Sequence, residues 1–363
     1  IYHSRPTAEN GQPYRMHLRL EKNGGGLLIL NASTVLHLNQ TAAEYAYHLV
    51  QDTPEQEVVK TMTRRYRASA EEVRLDYRTL VERIQALTNL TDLDPVTFLD
   101  MEREDLYSGE PSAPLRLDCA LTYKTGDESS DASPLQRARR ELTCEEWKTI
   151  LDQAWAFGIP HVIFTGGEPT LRPDLVDLVR HAQELGQVTG LLTSGARLTE
   201  KDYLHHLLDA GLDHILLTLD PASPPAWEAL RDALVEDIFV AVHLTINRQN
   251  YLQVAEIISR LAEMKVPAIS LSTGDPVLKP DVQLARQLAA DRGMRLIWDL
   301  PVPYSQTNPV SIEIAEGETI PQGAGKAWLY VEPDGDILPG QGILHVLGNL
   351  TEDTWEKLWP VSW

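Results

Sequence analysis

The sequence predicts an α/β protein built around a partial (β/α)6 barrel, with a small domain before it and a β-hairpin tail after it. Three observations support this prediction. Apolar strands alternate with amphipathic helices over the middle of the chain, a run of short strands and helices precedes them, and an Asp-Gly turn separates two short apolar segments near the end. The 363 residues suit more than one domain, and we place the domains at 1–100, 101–300 and 301–363.

The first segment has the pattern of short strands followed by helices. Apolar and polar residues alternate over 16–20, which is typical of a half-buried strand. Glycines at 24–26 indicate a turn, and short apolar stretches follow at 27–30 and 35–38. Helical periodicity then takes over in three groups between Ala42 and Ile84, so we expect a small domain of mixed structure.

The middle segment alternates strands and helices. The predicted strands are Leu115–Thr122, His161–Thr165, Gly190–Thr193, His214–Leu219, Ile238–Ile246, Ala268–Ser272 and Met294–Leu300. The predicted helices lie near 143–157, 173–185, 199–210, 225–233, 250–264 and 280–292. Thr143 and Glu146 form a capping box at the start of the first helix. Strands separated by helices of this length pair in parallel through right-handed crossovers, which favours a partial barrel.

The tail is predicted to hold a β-hairpin and a short helix. Trp328–Val331 and Asp336–Leu338 have strand-like composition, and the Pro-Asp-Gly sequence between them suits a tight turn. The short helix is predicted near Trp355–Trp359.

Composition excludes several classes of function. The formal net charge of −21 repels phosphate, so we expect no nucleic-acid partner. No apolar run is long enough to cross a bilayer and the N-terminus has no signal-peptide core, so we expect no membrane partner and a cytoplasmic location. Cys119 and Cys144 are the only cysteines, which excludes a disulfide framework and any metal or cluster site made of cysteines alone. We expect both to be structural thiols.

The sequence FTGGEPTL, from Phe164 to Leu171, follows a predicted strand and precedes a predicted helix, so it lies at the ligand-binding end of the barrel. Paired glycines let the backbone approach a ligand closely, and the same residues also form an ordinary tight turn. In this context the motif resembles the second-strand turn of radical S-adenosylmethionine (radical SAM) enzymes. The resemblance extends over about 115–350 and implies that this turn holds the methionine amino group of S-adenosylmethionine.

The cluster ligands of that family are missing from this sequence. After the first strand, radical SAM enzymes carry C-x-x-x-C-x-x-C, whose thiolates bind a four-iron cluster. The corresponding positions here are Thr125, Ser129 and Ala132. The tail resembles the auxiliary-cluster module of the SPASM/twitch type, with Gln322 and Gly340 at its cysteine positions. Hydroxyl, methyl and amide groups do not replace thiolates around iron, so we expect no iron–sulfur cluster, no metal site and no radical chemistry.

Polar residues remain at the ends of the predicted strands, and the resemblance places them around S-adenosylmethionine. The candidate cofactor-binding residues are Thr165, Gly166, Gly167, Glu168, Pro169, Thr193, Ser194, Thr218 and Asp220, and we assign no catalytic residue. Binding of S-adenosylmethionine stays open, although its affinity should fall without the iron that chelates it. If the site is kept, Glu168 is a partner for a ligand ammonium. If the site is lost, we expect Glu168 to pair with Arg172 or Arg197.

His243 lies among the same strand ends, where Thr245, Ser270 and Ser272 also occur. It is open to two interpretations. The imidazole either faces the barrel interior as a general base or is a hydrogen-bonded core histidine.

The sequence LHLNQTA, from Leu36 to Ala42, resembles the strand-to-helix junction of the PqqD-like winged-helix family, the peptide recognition element of peptide-modifying systems. The resemblance implies that this domain adds an extended peptide to a sheet edge as a new strand. The basic run 60–67 stands out in an acidic chain. It either attracts an acidic leader peptide or is an ordinary solvated helix face.

Two functions follow from these features. The first is a cluster-less pseudoenzyme of the radical SAM fold that binds a peptide or protein partner through its N-terminal domain. The alternative is an enzyme, descended from a peptide-modifying ancestor, that performs non-radical chemistry or retains S-adenosylmethionine binding in the barrel pocket.

Overall fold

A computed structural model of the chain describes residues 1–4, 14–21, 24–32, 34–89, 111–126, 138–200, 202–298, 300–302 and 321–359. The chain divides into two compact units. The first comprises Ile1–Ser112 with Ala156–Pro160, and the second comprises Ala113–Trp155 with His161–Trp363. Within the described ranges, no helix is both long enough and apolar enough to cross a membrane.

The first unit contains an antiparallel sheet with the strand order β1-β2-β3-β4. Its strands are β1 (Tyr2–Ser4), β2 (Met16–Leu20), β3 (Gly26–Leu30) and β4 (Thr34–Leu38). Its helices are α1 (Gln40–Val50), α2 (Glu55–Arg65) and α3 (Ala70–Asn89). The strands and helices predicted from the sequence are all present, and β1 is an addition that the sequence did not predict.

Two apolar clusters hold the first unit together. Leu18, Leu28 and Ile84 belong to the cluster that joins the sheet to α1 and α3. Val58 and Tyr77 belong to the cluster between α2 and α3, which also takes in residues of α1. Each fully buried Leu, Ile or Val in these clusters stabilises the fold by about 1.5–3 kcal/mol relative to an exposed side chain.

The second unit is built on a 10-stranded sheet with the order β11-β10-β9-β8-β7-β6-β5-β12-β13-β14. The strands are β5 (Arg116–Thr122), β6 (His161–Gly166), β7 (Val188–Thr193), β8 (His214–Thr218), β9 (Phe239–Thr245), β10 (Ala268–Ser272), β11 (Arg295–Leu296), β12 (Trp328–Val331), β13 (Asp336–Leu338) and β14 (Gly348–Asn349). Strands β5 to β11 pair in parallel, which confirms the predicted α/β architecture.

Helices connect the parallel strands of this sheet. They are α4 (Cys144–Phe157), α5 (Leu175–Leu185), α6 (Tyr203–Asp209), α7 (Pro224–Leu234), α8 (Val254–Glu263) and α9 (Lys279–Asp291), and α10 (Trp355–Leu358) lies in the tail. The capping box predicted for α4 is present. Thr143 N donates to Glu146 Oε2 at 2.8 Å, and Glu146 N donates to Thr143 Oγ1 at 3.3 Å. Two of the backbone N–H groups at this helix start are thereby satisfied.

One face of the parallel sheet carries an apolar cluster made of strand residues. Its buried members are Ile163, Leu192, Leu216, Ala241 and Ala268, and Phe239, Ile297 and Leu300 pack against it. Because side chains alternate between the two faces of a strand, residues two positions further along each strand lie on the same face. The polar residues at the carboxyl ends of β6, β8, β9 and β10 therefore continue this face beyond the cluster.

The tail forms the predicted hairpin. β12 and β13 pair antiparallel, and Gly335 in the turn between them has a φ of +91°, a backbone conformation that favours glycine. β12 also pairs in parallel with β5, so the hairpin extends the sheet of the second unit. The sequence predicted the hairpin and did not predict its place in the sheet.

Candidate functional site

The two glycines of the GGEP turn are required by a neighbouring backbone segment. Gly166 has a φ of +118°, and a Cβ there would lie 2.1 Å from the carbonyl oxygen of Thr122. A Cβ on Gly167 would lie 2.4 Å from the carbonyl oxygen of Lys124. The turn donates to the same oxygens, since Gly167 N lies 2.8 Å from Thr122 O and Glu168 N lies 2.7 Å from Lys124 O. Close approach between two backbone segments accounts for both glycines.

The Glu168 carboxylate is buried and surrounded by hydrogen-bond donors. The side chain is 3% exposed. Its Oε1 accepts from Thr170 N at 3.2 Å, from Thr170 Oγ1 at 2.6 Å and from Thr193 Oγ1 at 2.6 Å. Its Oε2 accepts from Ser194 N at 2.8 Å and from Ser194 Oγ at 2.5 Å. A carboxylate offers about four acceptor positions, so these donors fill its hydrogen-bonding capacity.

Neither arginine that was expected to pair with Glu168 does so. Arg172 binds both carboxylate oxygens of Asp174 and donates to the carbonyl oxygens of Leu121 and Leu142. Arg197 binds Glu200 and donates to the carbonyl oxygen of Thr170. The donors around Glu168 in the described part of the chain are therefore neutral hydroxyl and amide groups. In this arrangement the acceptor positions of the Glu168 carboxylate are taken by these donors.

The other predicted site residues do not all lie around Glu168. Thr193 and Ser194 meet Glu168, and Thr218 joins them because its Oγ1 donates to Thr193 O at 3.0 Å. Asp220 is exposed and accepts from Ala222 N at 3.0 Å, so it stabilises its own turn. Pro169 is buried and opens the 3-10 helix Pro169–Leu171. The structure thus assembles the ends of β6, β7 and β8 and leaves Asp220 outside the assembly.

Thr165 differs from the other predicted site residues in the surroundings of its hydroxyl group. It lies one residue before the glycines, and its side chain is fully buried. Its Oγ1 has no hydrogen-bond partner among the atoms of the described residues. Because it follows Ile163 by two positions on β6, it faces the same side as the apolar cluster.

A cavity of about 270 Å³ lies beside the GGEP turn rather than on it. Its lining residues are Thr122, Lys124, Glu141, Leu142, Thr143, Leu171, Arg172, Pro173 and Asp174. Gly166, Gly167 and Glu168 are absent from this lining. The charged groups at its wall are paired, with Lys124 Nζ 3.6 Å from Glu141 Oε2 and Arg172 bound to Asp174.

The residues at the first cluster position do not fit an iron–sulfur cluster. Thr125 is half-buried, while Ser129 and Ala132 lie outside the described residues. Cys119 is fully buried in β5, and burial raises the pKa of its thiol well above the usual range. Burial also raises the pKa of the Cys144 thiol at the start of α4. Thiolates are the form that binds metal, so neither cysteine is suited to replace the missing ligands.

The tail positions do not fit a cluster either. Gln322 is exposed, and Gly340 is buried. A Cβ on Gly340 would lie 3.5 Å from Trp328 Nε1, and a Cβ on Gly323 would lie 1.9 Å from the ring of Trp328. The indole therefore occupies the space beside Gly340. In the described ranges, no group of three or more His, Cys, Asp or Glu side chains is arranged to hold a metal ion.

His243 is a hydrogen-bonded buried histidine. It is 1% exposed, and burial lowers the pKa of its imidazole to about 4. Nδ1 lies 3.1 Å from Ser270 Oγ, and Nε2 lies 2.9 Å from Ser272 Oγ and 3.3 Å from Thr245 Oγ1. The sequence pointed to these residues one by one. Their mutual contact was hidden because the serines are 27 and 29 residues away on the neighbouring strand.

Comparison with known proteins decides the family. Residues 119–248 match the Radical SAM superfamily. The PqqA peptide cyclase of Rhizobium meliloti (strain 1021) is 30% identical over 268 residues, which cover 64% of this chain and 69% of the relative. The chain belongs to the radical SAM superfamily. The PqqA peptide cyclase of Streptomyces rochei is 31% identical over 244 residues, 57% of this chain. That match spans 64% of the relative, less than two thirds of its length.

Solved structures of similar fold superpose on nearly the whole chain. Streptococcus suis SuiB bound to S-adenosylmethionine superposes with a TM-score of 0.61 at 16% identity, covering 95% of this chain and 86% of SuiB. SuiB bound to its precursor peptide SuiA gives a TM-score of 0.59 at 17% identity, covering 95% and 87%. At this level of identity the likeness establishes the fold: a mostly parallel α/β sheet together with a separate N-terminal antiparallel sheet.

Proposed function

We propose that this radical SAM chain is a pseudoenzyme with respect to radical chemistry: it binds a peptide or protein partner and carries no iron–sulfur chemistry. One observation carries the proposal. The sequence contains two cysteines, and neither stands in the loop after β5 where three thiolates would bind a cluster. Without a cluster there is no electron to cleave S-adenosylmethionine reductively. The tail, 301–363, is on this proposal a degenerate auxiliary-cluster module, and Trp328 fills the space beside Gly340.

The proposed partner is a peptide because the relatives are named for peptide substrates. They include PqqA peptide cyclases and SuiB in complex with the precursor peptide SuiA. We propose that residues 1–100 are a PqqD-like recognition domain that adds such a peptide to its sheet. β4 supports this assignment, since it pairs with β3 on one side and no other described strand pairs with it. An open strand edge offers backbone N–H and C=O groups for a further strand.

The basic run 60–67, on α2 and just after its end, supports an acidic peptide. Arg64 and Arg67 are exposed, and neither makes an ion pair with another described residue. Arg65 is already bound to Glu44 at 2.6 Å. In a chain with a net charge of −21, two exposed arginines that have no carboxylate partner among the described residues favour an anionic partner here.

A further part of the proposal is that S-adenosylmethionine no longer binds at the GGEP turn. The saturated shell of Glu168 supports this view, since a ligand ammonium would have to displace hydroxyl or amide donors. S-adenosylmethionine binding in the barrel remains the alternative function, and titration calorimetry with S-adenosylmethionine separates the two. Saturable heat for the parent chain supports the alternative.

Fluorescence anisotropy with labelled PqqA and SuiA peptides tests the peptide proposal on the full chain. We expect saturable binding that is lost when alternate peptide nitrogens are methylated, because methylation removes the N–H groups that pair with a strand edge. The double variant Arg64→Glu/Arg67→Glu should weaken binding about tenfold or more, since it reverses the charge facing an acidic peptide. Arg231→Glu, at an exposed position on α7, is the matched control. Equal affinity for methylated and unmethylated peptides would contradict strand addition.

A further inference from the structure

Three hydroxyl groups surround the His243 imidazole at the ends of β9 and β10. Ser272 Oγ lies 2.9 Å from Nε2, Thr245 Oγ1 lies 3.3 Å from the same nitrogen, and Ser270 Oγ lies 3.1 Å from Nδ1. Ser270 is the register partner of His243, and Ser272 is the register partner of Thr245, so all of these side chains lie on one face of the sheet. They lie at the carboxyl ends of parallel strands, the end at which barrels of this type hold reacting groups.

The imidazole is held in place while the hydroxyls stay within reach of solvent. His243 is 1% exposed, whereas Ser270, Ser272 and Thr245 are each half-buried. A pKa of about 4 keeps the ring neutral at pH 7, with one donor nitrogen and one acceptor nitrogen. In the tautomer with hydrogen on Nδ1, that nitrogen donates to Ser270, and Nε2 accepts from Ser272. This is the arrangement of a nucleophile, a base and a group that orients the base.

We propose that Ser272 and His243 form a nucleophile–base pair for acyl transfer. Ser272 Oγ forms a bond to the carbonyl carbon of an ester while its proton passes to His243 Nε2. The ester C–O bond then breaks, and the leaving alcohol or thiol departs with that proton. Water attacks the acyl-serine with His243 Nε2 taking its proton, and this proton returns to Ser272 Oγ as the carboxylic acid leaves. The cycle consumes only water and ester, and it is independent of any cluster or of S-adenosylmethionine.

The orienting group restricts the class of substrate. Ser270 is neutral, whereas the aspartate carboxylate of a Ser-His-Asp triad stabilises the imidazolium that forms during the reaction. Replacement of that aspartate by asparagine lowers kcat by about 10⁴-fold. The hydroxyls that contact His243 are likewise uncharged. A base of this kind suits acyl groups with a good leaving group. We therefore assign the site to aryl esters or thioesters and exclude peptide amides.

Labelling of the full chain with a fluorophosphonate probe tests this assignment, read by intact mass and peptide mapping. We expect a single adduct on Ser272, its loss in Ser272→Ala, and labelling about 100-fold slower in His243→Gln, because the general base is removed. Ser259→Ala removes a hydroxyl on α8 that donates to Ala255 O, and it should label at the parent rate.

Three results would overturn the proposal. They are an unlabelled parent chain, an adduct on Ser270 or any residue other than Ser272, and a parent labelling rate in His243→Gln. Circular dichroism checks that each variant is folded. If a variant does not fold, the peptide map of the parent chain decides the question, because it locates the adduct without any substitution.

Discussion

Replacement of Glu168 by alanine should destabilise the second unit strongly, although the residue lies in a turn. The substitution removes the acceptor of the Thr170 and Ser194 backbone N–H groups and of three hydroxyls. The hydroxyls can rotate toward other acceptors or water, and water can reach the N–H of the exposed Ser194, whereas the N–H of the fully buried Thr170 is left without an acceptor. At about 1–3 kcal/mol for a buried donor that is left unsatisfied, the loss of unfolding free energy is about 2 kcal/mol.

Urea unfolding followed by tryptophan fluorescence measures this loss, with Glu200→Ala as the matched control. Glu200 binds Arg197 on the surface with a side chain that is 51% exposed, and such a pair contributes about 0–1 kcal/mol. The loss of unfolding free energy in Glu168→Gln should lie between the losses in Glu168→Ala and Glu200→Ala. The amide NH₂ group of the glutamine faces donors at a position where the carboxylate oxygen accepted hydrogen bonds. If Glu168→Ala costs no more than Glu200→Ala, the carboxylate does not hold the turn together, and our reasoning about its saturated shell is wrong.

The remaining predictions use the same unfolding assay or calorimetry. Gly166→Ala should cost about 3 kcal/mol or more, because its Cβ would meet Thr122 O at 2.1 Å and its φ is positive; a loss below 1 kcal/mol contradicts this. Thr165→Val should raise the unfolding free energy by about 1 kcal/mol, since it removes a buried hydroxyl that lacks a partner among the described atoms; a loss contradicts this. The folded-state pKa of His243, about 4, lies below the ordinary 6.5, so its contribution is present above pH 6.5 and is lost as the pH falls toward 4. We expect the unfolding free energy of the parent chain to fall by about 2 kcal/mol between pH 7 and pH 5 because of His243. In His243→Gln the fall over the same range should be smaller by that amount. Calorimetry with S-adenosylmethionine should show no saturable heat for the parent chain.

Periodicity predicted most of the fold because each element buries its own apolar face. Alternating residues in 16–20 and helical spacing in 254–263 are local patterns, and the structure places a strand and a helix there. β1 was missed because Tyr2–Ser4 is too short to show an alternation. The pairing of β12 with β5 was also missed, since the choice of a strand's neighbour depends on residues some 200 positions away and leaves no local pattern.

The surroundings of the GGEP turn could be predicted from the sequence only in part. The GGEP turn could be found from its glycines and its position between a strand and a helix. The sequence also grouped Glu168 with Thr193 and Ser194 at neighbouring strand ends, but it could not show that both residues, 25 and 26 positions later, donate hydrogen bonds to the carboxylate. Sequence reasoning assigned the carboxylate to a cation, either a ligand ammonium or an arginine, since a buried charge needs compensation. The fold supplies that compensation with neutral donors.

The most direct test of the account is the iron content and visible spectrum of the full chain after anaerobic reconstitution with iron and sulfide. A PqqA peptide cyclase treated in parallel is the positive control. We predict background iron and no broad visible absorbance, because Thr125, Ser129, Ala132, Gln322 and Gly340 provide no thiolates. About four iron atoms per chain with the brown absorbance of a four-iron cluster would contradict the central claim.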